Sequence, residues 1–446
     1  MSSSESARFS KIFPRLKVIA NPSERELRRW AHSEEQSTIF QAPAYFSRHK
    51  ADILPQNIFV VGEEGLNSFK PMPIEKATEL MNMLQPAMEQ FEWVMLNMRL
   101  GAADHAAIHA RLVIPKSLSR IGVLWGRSLL AATDSEKDPQ NSPEVLVACF
   151  PHWREFLTEP LKATFPDQII LLCPEAGIAY LLGVDRAKEV RRAFFALGRF
   201  AAQKRGGVLL PAATKSLRGV SFLICGGPGS GKSVLAFDDH QLSRGEVQLF
   251  QNGGVFLTSA GEACGMEKSF CFSTDWCDSS EWPDIFKALL DSDSVFENIS
   301  VHRKTMEIDF SIDSNRIGGF ALMERQNLPF AALAVDLNRV DKLVILKRFE
   351  TEAAPIAKLS GAQAVRVLKN EGLLTEGESA NFQSILGKNN RLQFYLLNTG
   401  HGISKKAPAR LLALLSEPNQ PCRWIPDAES GFELPEDKEL LGTLSK

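Results

Sequence analysis

Val220-Ser-Phe-Leu-Ile-Cys-Gly226-Gly-Pro-Gly-Ser-Gly231-Lys232-Ser233 constrains this chain more than any other stretch, because an apolar run leads directly into the pattern G-x-x-x-x-G-K-S. A buried strand, a Gly-rich turn and a helix in that order belong to α/β folds. The same order suits phosphate. Glycines at 226, 227, 229 and 231, with Ser230 among them, let backbone N–H groups point inward, and the helix that follows adds the positive end of its dipole. Lys232 is placed to reach terminal phosphates and Ser233 to offer its hydroxyl to a bridging Mg²⁺, with Val234 completing the cofactor-binding stretch.

At 446 residues the chain exceeds what one core supports. Two domains are expected, residues 1–217 and 218–446, the second carrying the phosphate loop. A net charge of -2 gives no broad positive field, which argues against nucleic acid and an anionic membrane surface as partners. The seven cysteines include no C-x-x-C pair, and the spacing of Cys264, Cys271 and Cys277 does not suit a zinc knuckle, so reduced thiols are expected. Met1-Ser-Ser-Ser-Glu5 lacks the apolar core of a secretory signal, and no run approaches a membrane span; a cytoplasmic location is the expectation.

Periodicity predicts a helix from Ile74 to Gln90 and another from Arg186 to about Gln203. Short apolar runs predict strands at Asn57–Val61, Glu92–Leu96, Val145–Phe150, Gln168–Cys173 and Ile178–Leu182. Thr133 to Pro143 reads as a surface loop.

From about Leu80 to Leu415 the order of segments resembles the phosphoenolpyruvate carboxykinase family, in particular its ATP-dependent branch. The resemblance is carried by Gly101-Ala-Ala-Asp104 with Arg111-Leu-Val-Ile114, by Gly183 to Arg192, by Gly207 to Ser216, and by the phosphate loop itself. Gly254-Val-Phe256, Glu297-Asn298, Ile308-Asp-Phe310, Asn315-Arg316, Leu359 to Ala364 and Tyr395-Leu-Leu-Asn-Thr-Gly400 continue it in register. It implies a two-domain α/β carboxykinase-like fold with a P-loop mononucleotide-binding C-terminal domain. On the nucleotide side it implies ATP with Mg²⁺ as cofactors, Arg316 as a phosphate-bridging arginine, and Ile403 in Gly402-Ile403-Ser404 at the base pocket.

The departures bear on the reaction. In the family a neutral Lys, a His and an Asp hold a transition metal that polarises the oxaloacetate or enolate oxygen. Here the Lys pair reads Arg191-Arg192, and a guanidinium has no lone pair to give a metal; the His position reads Ala212. The double Asp falls on Gly245-Glu246, leaving Glu246 as the remaining metal-binding or acceptor-activating carboxylate. The family's substrate-binding T-G-R-S-P-K-D-K segment has no counterpart near Phe40-Gln-Ala-Pro43. Arg191 and Arg192 are either an anion site replacing the metal or solvated charges on a helix face.

Lesser candidates are His105 and His109 beside Asp104, expected as surface histidines; Asp238 and Asp239, able to approach Mg²⁺ only if the phosphate-loop helix is short; and Leu333-Ala-Val-Asp336 as a Walker-B strand. Three functions fit: a phosphotransferase, kinase or ATPase acting on an unknown acceptor other than oxaloacetate, with Lys232, Arg316 and Glu246 as its catalytic groups; a nucleotide-sensing pseudoenzyme working through a protein partner; or an atypical phosphoenolpyruvate carboxykinase.

Overall fold

The computed structural model describes residues 16–48, 53–62, 69–138, 141–274, 276–277, 279–310, 319–350, 354–389, 391–400, 406–417, 423–428 and 430–436. Arg316 and Ile403 lie outside these residues. Two compact units are present, the first from Met1–Leu100, Ala107–Ala201 and Cys271–Glu324, the second from Gly101–Ala106, Ala202–Phe270 and Arg325–Lys446.

The first unit is built on a sheet of β1 (Lys17–Ala20), β2 (Ile58–Val61), β3 (Lys70–Met72), β4 (Glu92–Leu100), β5 (Ile108–Pro115), β6 (Val145–Phe150), β7 (Ile169–Cys173) and β8 (Ile178–Leu182). Their order across the sheet is β1-β4-β5-β6-β8-β7-β2-β3, with Leu130–Ala131 paired to β4. Every residue of β5 to β8 is buried, which is why β6, β7 and β8 read as apolar runs rather than alternations, while β5 also buries His109 and Arg111. Helix α1 (Ile74–Met88) turns Ala77, Leu80, Met81, Leu84, Ala87 and Met88 inward at helical spacing. They join Trp93, Phe150 and Leu171 in one core. Strand β4 runs four residues beyond its expected end, because Asn97 to Leu100 continue to pair with Arg111 to Ile108. The Thr133 loop contains one helical turn, Asp134–Lys137, whose first turn is closed by a capping box between Thr133 and Glu136. Helix α2 (Ala187–Lys204) carries Arg191 and Arg192.

The second unit holds β9 (Ala212–Leu217), β10 (Val220–Gly226), helix α3 (Lys232–Phe237), β11 (Val247–Gln251), β12 (Lys342–Lys347), β13 (Ile356–Leu359), β14 (Gln393–Asn398), helix α4 (Ala407–Leu415), β15 (Trp424–Pro426) and β16 (Glu433–Pro435). The strands form one sheet in the order β11-β9-β10-β12-β14-β13-β16-β15. Strands β10, β12 and β14 run parallel and end at the same side. Their core collects Leu223, Cys225, Leu343, Ile345 and Leu396.

The units do not follow a single break after residue 217. Strands β9 and β10 are a hairpin, paired from Ala212↔Cys225 to Leu217↔Val220. Its turn, Arg218-Gly219, holds positive φ at both residues, 49° and 80°. Cutting there would separate two hydrogen-bonded strands, and the chain changes unit near Ala202 instead. No helix among the described residues is long and apolar enough to cross a membrane.

Candidate nucleotide site

Strand β10 lies between β9 and β12, and its residues Phe222 to Cys225 are fully buried, so it delivers the next residues to a fixed place. Gly226 leaves little room for a side chain. A Cβ there would stand 2.3 Å from Ser230 Oγ and 3.2 Å from Leu346 Cβ, because the turn folds back over the strand end. Gly229 and Gly231 adopt φ of 77° and 85°, where a side chain is strained. Helix α3 then starts from Gly231, the Leu235 N–H donating to the Gly231 carbonyl at 3.0 Å, with no side chain capping it.

Around two of its glycines the turn is open. Nothing stands within 4 Å of a Cβ added at Gly227 or Gly229. The Ser230 hydroxyl is buried and has no hydrogen-bond partner among the described residues. Lys232 donates from Nζ to the Asn252 carbonyl at 3.2 Å, which draws the ammonium toward the end of β11. Ser233 and Val234 are half-buried in the first turn of α3. A further residue is Thr399, just past β14, whose N–H donates to the Lys347 carbonyl at 3.0 Å. Its methyl comes to 4.0 Å from a Cβ placed on Gly231, and its hydroxyl also has no partner among the described residues. The motif Tyr395-Leu-Leu-Asn-Thr-Gly400 contained this residue, but only the parallel pairing of β12 with β14 brings it beside the turn.

Other expected residues stand elsewhere. Glu246 is not at the turn. Strand β11 is antiparallel to β9, with Val247 opposite Leu217 and Gln251 opposite Thr214, so Glu246 lies at the strand end where β10 begins. Six residue steps along β10, about 20 Å, separate that end from Gly226. Its carboxylate accepts from the Ser243 N–H at 3.0 Å and pairs with Arg218 at 3.4 Å, contacts that hold its pKa below the usual value. The residue that β11 delivers to the turn is Asn252.

Asp238 and Asp239 follow α3, which is short at six residues, but they sit at its far end, about 9 Å along the axis from Lys232. Leu333 to Asp336 is not a strand; Asp336 accepts the Gly265 N–H at 2.9 Å, and the parallel neighbour of β10 is β12. His105 pairs with Glu262 at 2.8 Å, whereas His109 lies in β5 against Asn97 at 3.2 Å, so the two histidines do not converge.

In the first unit, Arg191 stacks its guanidinium on Phe195 at 4.8 Å. Arg192 donates to the Ile53 carbonyl at 3.3 Å and faces buried Glu189 at 3.7 Å. Ala212 is fully buried in the apolar core with Leu223 and Cys225. The residues at the resembled Lys and His positions therefore do not fit a transition metal: the first is a paired guanidinium and the second a methyl group in a hydrocarbon core. Among the described residues no three His, Cys, Asp or Glu side chains converge on a point.

A central strand, a Gly-lined turn and a helix at the carboxyl ends of parallel strands place the chain among mixed α/β proteins. It belongs to the phosphoenolpyruvate carboxykinase family, whose sequence pattern matches residues 16–368. A phosphoenolpyruvate carboxykinase (ATP) of Aeropyrum pernix is 29% identical over 307 residues, 61% of this chain. The match spans 62% of that relative's length.

Proposed function

We propose that the chain binds Mg·ATP at Gly226–Ser233 and moves the terminal phosphoryl group to water or to an acceptor other than oxaloacetate. The observation that carries this reading is the contrast between an open glycine turn, with the Ser230 and Thr399 hydroxyls left without partners among the described residues, and metal positions occupied by Ala212 and Arg192. In this reading the turn's N–H groups hold phosphate oxygens, Lys232 neutralises the terminal ones, and Ser233 meets the Mg²⁺ that ATP brings. Arg316 and Ile403 are the residues that the resemblance assigns to the group in transfer and to the base. Arg191 and Arg192 are the cationic groups assigned to a carboxylate or phosphate on the acceptor.

Calorimetry with Mg·ATP and Mg·GTP on wild type and Lys232→Ala tests the site. Affinity should fall about 10–100-fold in the variant, the worth of a charge-assisted hydrogen bond to phosphate. Equal heats from the two proteins would remove the assignment. A second reading, an atypical carboxykinase, is favoured by the family match and by the Aeropyrum pernix relative. A coupled assay with oxaloacetate, ATP and Mn²⁺ separates the two: the first reading expects no phosphoenolpyruvate, and turnover of about 1 s⁻¹ or faster would establish the second.

A further inference from the structure

Helix α3 has six residues, too few to persist in water without tertiary support. The segment after it is strained, since His240 and Gln241 both hold positive φ, 57° and 56°. Lys215 on β9, wholly buried, holds this segment. Its Nζ has four acceptors in reach, the carbonyls of Leu235 at 3.3 Å, Ala236 at 2.9 Å and Asp238 and, at 2.8 Å, His240 Nε2, which share its N–H groups. His240 Nδ1 is 3.0 Å from the Ala409 carbonyl in α4, so that nitrogen carries the ring proton and Nε2 accepts from Lys215. The Phe330 ring covers the amine at 5.7 Å.

We propose that Lys215 is the positioning residue of the phosphate loop: it ties the last carbonyls of α3 and the His240 ring to the sheet, and so fixes the helix whose first residues are Lys232 and Ser233. Its consequence for nucleotide rests on the Mg·ATP reading above. The amine also makes the tie sensitive to protons. Burial holds Lys215 down to about 7, against an ordinary 10.5, while Asp238 and Asp239 pull the other way. Asp238 is raised by burial and lowered in part by His240, Lys215 and Lys406. Burial and Lys215 hold His240 well below its usual value, so the ring is neutral. Opening the segment exposes the amine to water and returns it to its ordinary value. Opening therefore takes up a proton between about pH 7 and 10.5, and the segment closes more tightly as pH rises through that window; below about 7 both forms are protonated and the dependence ends.

Hydrogen exchange of residues 232–240 in the nucleotide-free protein, corrected for intrinsic rates between pH 6.5 and 9, reads this directly. In wild type, protection should rise above about pH 7, approaching tenfold per pH unit. Lys215→Met should abolish the slope and lower protection of this segment at least tenfold at pH 8, leaving β10 unchanged, and weaken Mg·ATP about tenfold. Wild-type protection in Lys215→Met overturns the proposal, and a flat wild-type profile overturns its proton dependence. Protection that follows Lys215 in a chain giving no heat with Mg·ATP upholds the tie and overturns the nucleotide reading instead.

Discussion

Helices α2 and α3 both begin on partly or wholly buried residues, and they satisfy their first N–H groups in opposite ways. At α2 the Ala187 N–H donates to both oxygens of Glu297, at 2.9 and 3.2 Å, and the carboxyl group is 1% exposed. At α3 the cap is Gly231, no side chain closes it, and the glycines before it face open space. Both ends carry the same partial positive charge. Where the protein supplies the anion itself, the helix start is a structural joint; where it supplies none, the start can receive one from solution.

Filling or emptying either end tests that contrast. Glu297→Ala should have the largest effect on the fold, about 1–3 kcal/mol in urea denaturation, because it leaves a buried N–H without an acceptor. It should leave Mg·ATP affinity unchanged, and a loss of affinity with full stability would erase the distinction. The same carboxyl has a pH signature. Burial raises its pKa above the ordinary 4.5, only partly offset by Arg120, the Ala187 N–H and Arg186. The folded chain thus holds this proton more tightly than the unfolded one, and Glu297 makes stability decline as pH rises from about 4.5 through the raised value. Glu297→Gln should remove that component from a stability-against-pH series.

Gly226→Ala should act the other way round. Its Cβ displaces the Ser230 hydroxyl, which stands 2.3 Å from that position, so Mg·ATP should bind about tenfold more weakly, roughly 1.4 kcal/mol. Stability should change less than with Glu297→Ala, because a serine hydroxyl can rotate away. The smallest effect on stability is expected of Arg192→Ala, below about 1 kcal/mol, since its contact with Glu189 is 3.7 Å long and its side chain is 41% exposed. If Arg192 serves the acceptor, phosphate or dicarboxylate binding should nevertheless weaken about tenfold; unchanged binding would leave it a solvated charge.

The strand–turn–helix at residues 220–237 was legible because its requirements are local: an apolar run, then glycines at fixed offsets. Strands β6 and β8 were equally legible, since full burial writes itself as an apolar run. Glu246 was named from the resemblance alone, which cannot reveal that β11 returns antiparallel along β9 and sets this residue at the far end of β10. Lys215 gave no signal, for a lysine in a short strand reads as an exposed residue until the carbonyls of α3 are seen around it. The sequence shows the motif around Thr399 but not its place, which depends on strands far apart in the chain.

That last separation has a temporal side. Strand β10 pairs on one edge with β9 at once, but its other edge waits for β12, with Gly226 meeting Leu346 about 120 residues later. At a synthesis rate of about 5–20 residues per second the delay is on the order of ten seconds. Throughout it a strand of buried apolar residues presents an unpaired edge, the kind of surface that recruits chaperones or other chains. Thr399 arrives later still. The glycine turn at the end of β10 therefore gains its last neighbours long after its own residues are made.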